Sequence, residues 1–192
     1  MSRHADIMIA LLGAGRASRF GADKLSQPCA GKPLGAWALA AADETGLPVV
    51  WIAGQAAPDF VTCEVALNPR TGEGMGTSVA LAARLARERG AGALLVMLAD
   101  MPLVSPALLA RLIEAGAPSA CSYGFEPGAP AIIPAALFGE LEALSGDQGA
   151  ARVLRGRGDV SLVHARAEDL LDVDNRPALA EAERLLVARA PG

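Results

Sequence analysis

The sequence predicts an α/β fold, with a predominantly parallel sheet covered by helices on both faces. Three observations carry that expectation. Short, wholly apolar runs such as Ile7–Leu12 and Ala93–Leu98 read as strands buried on both sides. Helix-forming segments of about 10–15 residues alternate with them. Glycine or a short polar residue closes the main strand candidates, at Gly13, Gly54 and Asp100.

The elements follow in order. Ile7–Leu12 is the first strand. Leu34–Thr45, opened by Pro33 and closed by Gly46, reads as a helix. Val49–Ala53 is a second strand and Val61–Leu67 a third. Thr77–Arg89 holds good helix formers, with Arg84, Arg87 and Arg89 towards its end and Gly90 beyond it. Ala93–Leu98 is the most apolar strand. Ser105 then offers an N-cap and Pro106 the first position of a helix running to about Ala115. Ser119–Phe125 and Ala131–Ile133 read as strands separated by a turn at Glu126-Pro127-Gly128. Ala135–Ala143 and Asp147–Arg155 read as helices, Val160–His164 as a last strand, and Pro177–Arg189 as a closing helix capped by Asn175. No repeat or composition break divides the 192 residues, so one domain over 1–192 is expected.

Composition narrows the function classes. Hydrophobic residues make up 52% and charged residues 20%, the profile of a folding chain rather than a disordered one. The formal net charge of −4 gives no basic excess to hold nucleic acid or an acidic membrane. No apolar run approaches the roughly 20 residues of a membrane span. Cys29, Cys63 and Cys121 lack metal-ligand spacing and cannot all pair, which points to a reduced, cytoplasmic setting. Of the 17 basic residues only Lys24 and Lys32 are lysines, both just after the first glycine-rich segment. A chain that otherwise uses arginine keeps a compact ammonium there.

That segment, Leu12-Gly13-Ala14-Gly15-Arg16-Ala17-Ser18-Arg19-Phe20-Gly21-Ala22-Asp23-Lys24, carries the first chemistry. A glycine-rich turn after a strand of a parallel sheet lies where such folds bind ligands. Backbone N–H groups can approach an anion there, and Arg16, Arg19 and Lys24 add positive charge, a combination suited to a triphosphate. A tight strand-to-helix turn with exposed arginines is the competing role. Two commoner phosphate loops fail: the dinucleotide fingerprint wants glycine where Ser18 stands, and Gly21-Ala22-Asp23-Lys24 misplaces the Walker lysine. Downstream, Asp100 ends the most apolar strand, where a hard oxygen ligand for Mg²⁺ and a simple capping or loop aspartate are both open. Asn68-Pro69-Arg70-Thr71-Gly72-Glu73-Gly74-Met75-Gly76-Thr77-Ser78 leads into a helix, and either meets a ligand with the helix N-terminus or caps it through Thr77 or Ser78. Asp172 and Asp174 lie on one side of an extended segment before the last helix, as ligands or caps. His4 and His164 are too few and too far apart for a metal site or a nucleophilic triad.

Gly13–Lys24 resembles the signature of MobA-like nucleotidyltransferases, with Gly13 where Ala is more usual and Phe20 where Met is usual. The resemblance implies that the amides of Leu12, Gly13, Ala14, Gly15 and Arg16 hold an NTP's phosphates, with Arg19 and Lys24 as charge partners. Leu98-Ala99-Asp100-Met101-Pro102 resembles the family's metal-binding strand end, and Leu171-Asp172-Val173-Asp174-Asn175-Arg176-Pro177 its later acidic turn. Mg²⁺ on Asp100 and Asp174 is implied, with Asp172 in reserve. Gly74-Met75-Gly76-Thr77-Ser78 looks like the segment that meets the nucleoside in molybdenum cofactor cytidylyltransferases, which assigns Gly76, Thr77 and Ser78 to CTP. Gly146-Asp147-Gln148-Gly149-Ala150-Ala151-Arg152 resembles a stretch of the same branch on the pterin side. There Arg152 and Arg155 meet a substrate phosphate or simply form a solvated face. One departure stands out: Gly128-Ala129-Pro130 occupies the place of the branch's Gly-His-Pro.

Together these imply a three-layer, Rossmann-like fold of the nucleotide-diphospho-sugar-transferase kind. They imply transfer of CMP from CTP to the terminal phosphate of molybdopterin, and a client molybdoenzyme to receive the product. A guanylyltransferase acting on molybdopterin or another phosphorylated small molecule is the nearest alternative. A non-catalytic cofactor carrier is another, and would have no need of Lys24 and Asp100.

Overall fold

The computed structural model describes residues 6–14 and 24–189. Seven strands form one sheet: β1 (Ile7–Leu12), β4 (Val49–Ala53), β5 (Glu64–Leu67), β6 (Ala93–Leu98), β7 (Ser119–Tyr123), β8 (Glu126–Pro134) and β9 (Ser161–His164). A small hairpin, β2 (Pro28–Cys29) with β3 (Lys32–Pro33), stands apart from it. The helices are α1 (Leu34–Asp43), α2 (Met75–Glu88), α3 (Pro106–Ala115), α4 (Phe138–Glu142) and α5 (Arg176–Arg189). The sheet order is β5-β4-β1-β6-β8-β7-β9, and β8 alone runs against the rest.

All six residues of β1 are buried, as its unbroken apolar run requires. Ile7, Ile9 and Leu11 face a cluster built with α1 and α3, while Met8, Ala10 and Leu12 face one built with α2 and α4. Small side chains let α2 lie close: Val79, Ala82, Ala83 and Ala86 form a buried stripe at helical spacing. Ser105 caps α3 as expected, its Oγ accepting from the Leu108 amide at 3.2 Å. A side-chain cap recurs at α5, where Asn175 Oδ1 accepts from the Ala178 amide at 2.9 Å. A third cluster joins α5, through Ala182, Leu185 and Leu186, to Cys29, Leu34, Leu103 and Val173. It ties the final helix to both segments that flank the site.

The structure departs from the expectation in several places. Glu126-Pro127-Gly128 is strand, not turn; the chain reverses one step earlier at Gly124, whose φ of +68° suits a residue without Cβ. Asp147–Arg155 holds only a 3-10 segment, Ala150–Leu154, and Ala135–Ala143 divides into a 3-10 turn and the short α4. The third strand begins at Glu64 rather than Val61. Among the described residues, no helix is long and apolar enough to cross a membrane.

The strand order decides where a ligand can sit. From β1 the chain builds outward through β4 to β5, then returns to place β6 on the other side of β1. This reversal opens a crevice at the carboxyl ends of β1 and β6, the usual binding position in such sheets.

Candidate active site

Gly13 and Asp100 flank that crevice. The Ala99 amide donates to Leu12 O at 3.1 Å and the Gly13 amide to Ile52 O at 2.9 Å, so both strand ends leave the sheet in fixed positions. Lys24 opens a 3-10 turn, Lys24–Ser26, and its side chain is only 8% exposed. Its Nζ donates to Asp100 Oδ2 at 2.7 Å and to Asp174 Oδ1 at 3.2 Å. The chain thus brings together residues 76 and 150 positions apart in sequence.

The acidic turn reaches Asp100 through the backbone. The Val173 amide donates to Asp100 O at 3.0 Å, and the Val173 side chain is fully buried in the α5 cluster. Alternation then turns Asp172 and Asp174 to the crevice side, where they and Asp100 each offer an oxygen within 4.8 Å of the others. Asp172, expected only as a reserve, is a full member of the group. Asp100 Oδ1 is buried and has no hydrogen-bond partner among the described residues. Three carboxylates with an unpaired inward oxygen form the hard, all-oxygen donor set that suits a divalent cation.

The charges act on one another. Burial is the largest influence on Lys24 and pulls its pKa down, but Asp100 and Asp174 together outweigh it, so the ammonium stays charged. Asp172 is exposed at its edge, yet partial desolvation at the crevice comes first, and the neighbouring charges of Asp100 and Asp174 add to it against the opposing Lys24. Its carboxyl is pushed up to about 7. The folded chain therefore holds a proton on Asp172 that the unfolded chain releases near 3.8. This group favours folding most below that value, and the benefit is lost as pH rises through about 7. Urea unfolding of wild type and Asp172→Asn at pH 5 and pH 8 checks this. The variant should gain stability relative to wild type at the higher pH, and an equal difference at both pH values would contradict the shift.

The start of α2 is built differently from its sequence expectation. Thr77 and Ser78 are buried, and Asn68 Nδ2 donates to their hydroxyls at 2.9 and 3.0 Å. Thr77 Oγ1 also lies within donating distance of Gly74 O, at 2.9 Å. Both side chains are thus engaged inside the protein. The Gly76 amide donates to Gly146 O at 2.8 Å. A Cβ on Gly74 would fall 2.3 Å from the Gly146 backbone, and one on Gly76 2.7 Å from Ser145 N, so both glycines permit the close docking of residues 145–147. Asn68, which begins the segment but has no role assigned from the sequence, knits the end of β5 to this helix start.

Beside that contact lies a cavity of about 330 Å³ lined by Glu126, Gly128, Asp147, Gln148, Arg152 and Arg155, among others. Because β8 pairs antiparallel with β6, Val96 opposite Ala131, its first residues extend towards the carboxyl end of β6. The cavity therefore opens on the same sheet edge as Asp100. Gly15, Arg16 and Arg19 lie outside the described residues.

The sequence model of the MobA-like NTP transferase domain matches residues 9–165. The chain belongs to that family. Among relatives of this MobA-like transferase, Purine catabolism protein PucB of Bacillus subtilis (strain 168) is 31% identical over 162 residues, covering 75% of this chain and 78% of PucB. Bifunctional protein GlmU of Maricaulis maris (strain MCS10) is 35% identical over 139 residues, covering 68% of this chain but 30% of GlmU. The chain thus spans less than a third of that relative. The crystal structure of Rv0371C of Mycobacterium tuberculosis H37Rv in complex with manganese superposes with a TM-score of 0.73 at 26% identity, covering 94% of this chain and 98% of that one. What the family match establishes is an NTP transferase domain over most of the chain.

Proposed function

We propose that this chain transfers CMP from CTP to the terminal phosphate of molybdopterin and releases pyrophosphate. The observation that carries the transfer chemistry is the 2.7 Å contact of Lys24 Nζ with Asp100 Oδ2, inside a group of three carboxylates at the crevice. The resemblance of Gly74–Ser78 to the cytidylyl branch favours CTP.

The acceptor's phosphate oxygen forms the new bond to the α-phosphorus as the bond from that phosphorus to the β-bridging oxygen breaks. No side-chain nucleophile is required, so positioning and charge stabilisation account for the rate. Asp100, Asp172 and Asp174 would hold Mg²⁺ or a similar ion, which when bound supplies polarisation of the α-phosphate. Lys24, with Arg19, neutralises charge on the departing pyrophosphate. Ala14, Gly15 and Arg16 present backbone amides to the triphosphate, the Gly13 amide being already bonded to Ile52 O. Gly76, Thr77 and Ser78 act through the helix start they stabilise, since the two hydroxyls already bond to Asn68. Arg152 and Arg155, in the cavity beside them, orient the acceptor's phosphate.

Pyrophosphate release from each of the four NTPs, with Mg²⁺ or Mn²⁺ and with or without molybdopterin, tests the reading. CTP with molybdopterin should give the highest kcat/KM. A preference for GTP would move the assignment to guanylyl transfer, and release from no NTP would favour a carrier.

A further inference from the structure

The two tryptophans of the chain are treated differently. Trp37 donates its indole N–H to Cys29 O at 2.9 Å. Trp51, on β4, is fully buried, and its Nε1 has no hydrogen-bond partner among the described residues. Folded proteins leave few buried donors unpaired, and each such donor calls for a reason.

The position of the ring supplies one. A Cβ built on Gly13 would fall 2.2 Å from Trp51 Cε2 and 2.3 Å from Nε1, so the indole fills the space a side chain there would need. Its far edge reaches the start of α1, where a Cβ on Gly35 would stand 3.2 Å from Cη2 and 3.3 Å from Leu25 Cβ. Leu25 follows Lys24 directly. Phe60 braces the ring edge-on, with centroids 5.7 Å apart and planes at 84°. The indole is thus wedged between Gly13 and Gly35 at the start of α1, in the cluster that also holds Leu25, with its unpaired N–H beside Gly13.

We propose that Trp51 is a positioning residue for the nucleoside triphosphate: its ring sets Gly13 against the start of α1, and its indole N–H gains an oxygen acceptor when the triphosphate is bound. The inference rests on the nucleotide reading above and adds a residue to it. A neutral donor held rigidly at Gly13 supplements the charge of Lys24 without a second titrating group. It also accounts for glycine at position 13, because any larger residue would displace the ring.

Indole ¹⁵N–¹H spectra of the wild-type protein test this, with Trp51→Phe used to assign the two signals. Mg²⁺–CTP, Mg²⁺–GTP, inorganic triphosphate and free cytidine are added in turn, and binding of each is measured by calorimetry. The triphosphate-bearing ligands that bind should move the Trp51 signal downfield, while Trp37, already bonded, stays in place and cytidine moves neither. Trp51→Phe should raise KM for the NTP about tenfold or more and leave KM for the acceptor unchanged. Calorimetric binding of an NTP with a stationary Trp51 signal would overturn the inference and spare the nucleotide reading, as would a shift produced by cytidine alone. Absence of any NTP binding would overturn both. Should that variant fail to fold, Trp37→Phe assigns the remaining signal to Trp51 and the wild-type spectra decide.

Discussion

Asp100→Asn is expected to fold and yet to release pyrophosphate about 10²–10³-fold more slowly than wild type, the range seen when one preorganised charge-stabilising group is lost. The substitution keeps the size of the side chain. Lys24 retains Asp174 at 3.2 Å, and the Val173 amide still finds the backbone oxygen of residue 100 at 3.0 Å, so the acidic turn stays anchored. What disappears is the carboxylate whose Oδ1 is buried and unpaired among the described residues. A second consequence follows from the coupled charges. With Asp100 neutral, one cause of the raised Asp172 pKa is removed, and Asp172 should ionise at lower pH than its present value of about 7. Mn²⁺ titration should show weakened binding, circular dichroism a folded spectrum with a lowered melting midpoint, and pyrophosphate release the large loss. A rate within tenfold of wild type would remove Asp100 from the chemistry.

How much of this is readable in the sequence depends on what each residue's neighbours are. Ile7–Leu12, Val49–Ala53, Ala93–Leu98 and Pro106–Ala115 have the same bounds in the structure as in the sequence reading, because burial on both faces or an explicit cap is written locally. Glu126-Pro127-Gly128 misleads because Pro-Gly ordinarily marks a turn, yet here it begins a nine-residue strand beyond a tighter reversal at Gly124. The hairpin Pro28–Cys29 with Lys32–Pro33 is too short to show any periodicity. Lys24 and Asp100 are legible as chemistry because each stands at the end of a recognisable segment. Asp172 is undervalued by its sequence context: alternation puts it beside Asp174, but only the Val173–Asp100 backbone bond shows that both reach Asp100. Thr77 and Ser78 read as ligand contacts or caps at a helix start. Their engagement by Asn68 arises from the return of β5 to α2, a tertiary event with no local signature. Gly13 is visible as a departure from the family's usual alanine, and its cause, Trp51, lies 38 positions away on the neighbouring strand.

Lys24→Met should produce two effects of opposite sign. Turnover falls about 10²-fold, because the charge that stabilises the leaving pyrophosphate is gone. Affinity for Mn²⁺ in the absence of nucleotide rises. The reason is competition for the same oxygens: Lys24 Nζ lies 2.7 Å from Asp100 Oδ2 and 3.2 Å from Asp174 Oδ1, where a divalent ion would bind. In the unliganded protein the ammonium serves as the cation that the three carboxylates require. Methionine fills similar volume without charge, so the variant leaves a like-charged cluster with nothing to balance it. Leaving Asp100 and Asp174 without their counter-charge destabilises the fold, and the deficit should grow as pH rises and Asp172, its carboxyl pushed still higher without Lys24, ionises in turn. Mn²⁺ should then recover more stability in Lys24→Met than in wild type, since it supplies the missing positive charge. Thermal unfolding with and without Mn²⁺ at pH 8, beside Mn²⁺ calorimetry, separates these effects. Weaker Mn²⁺ binding in the variant than in wild type would mean that lysine and metal do not compete. The ammonium would then be a fixed partner of the site rather than a group released to meet the triphosphate.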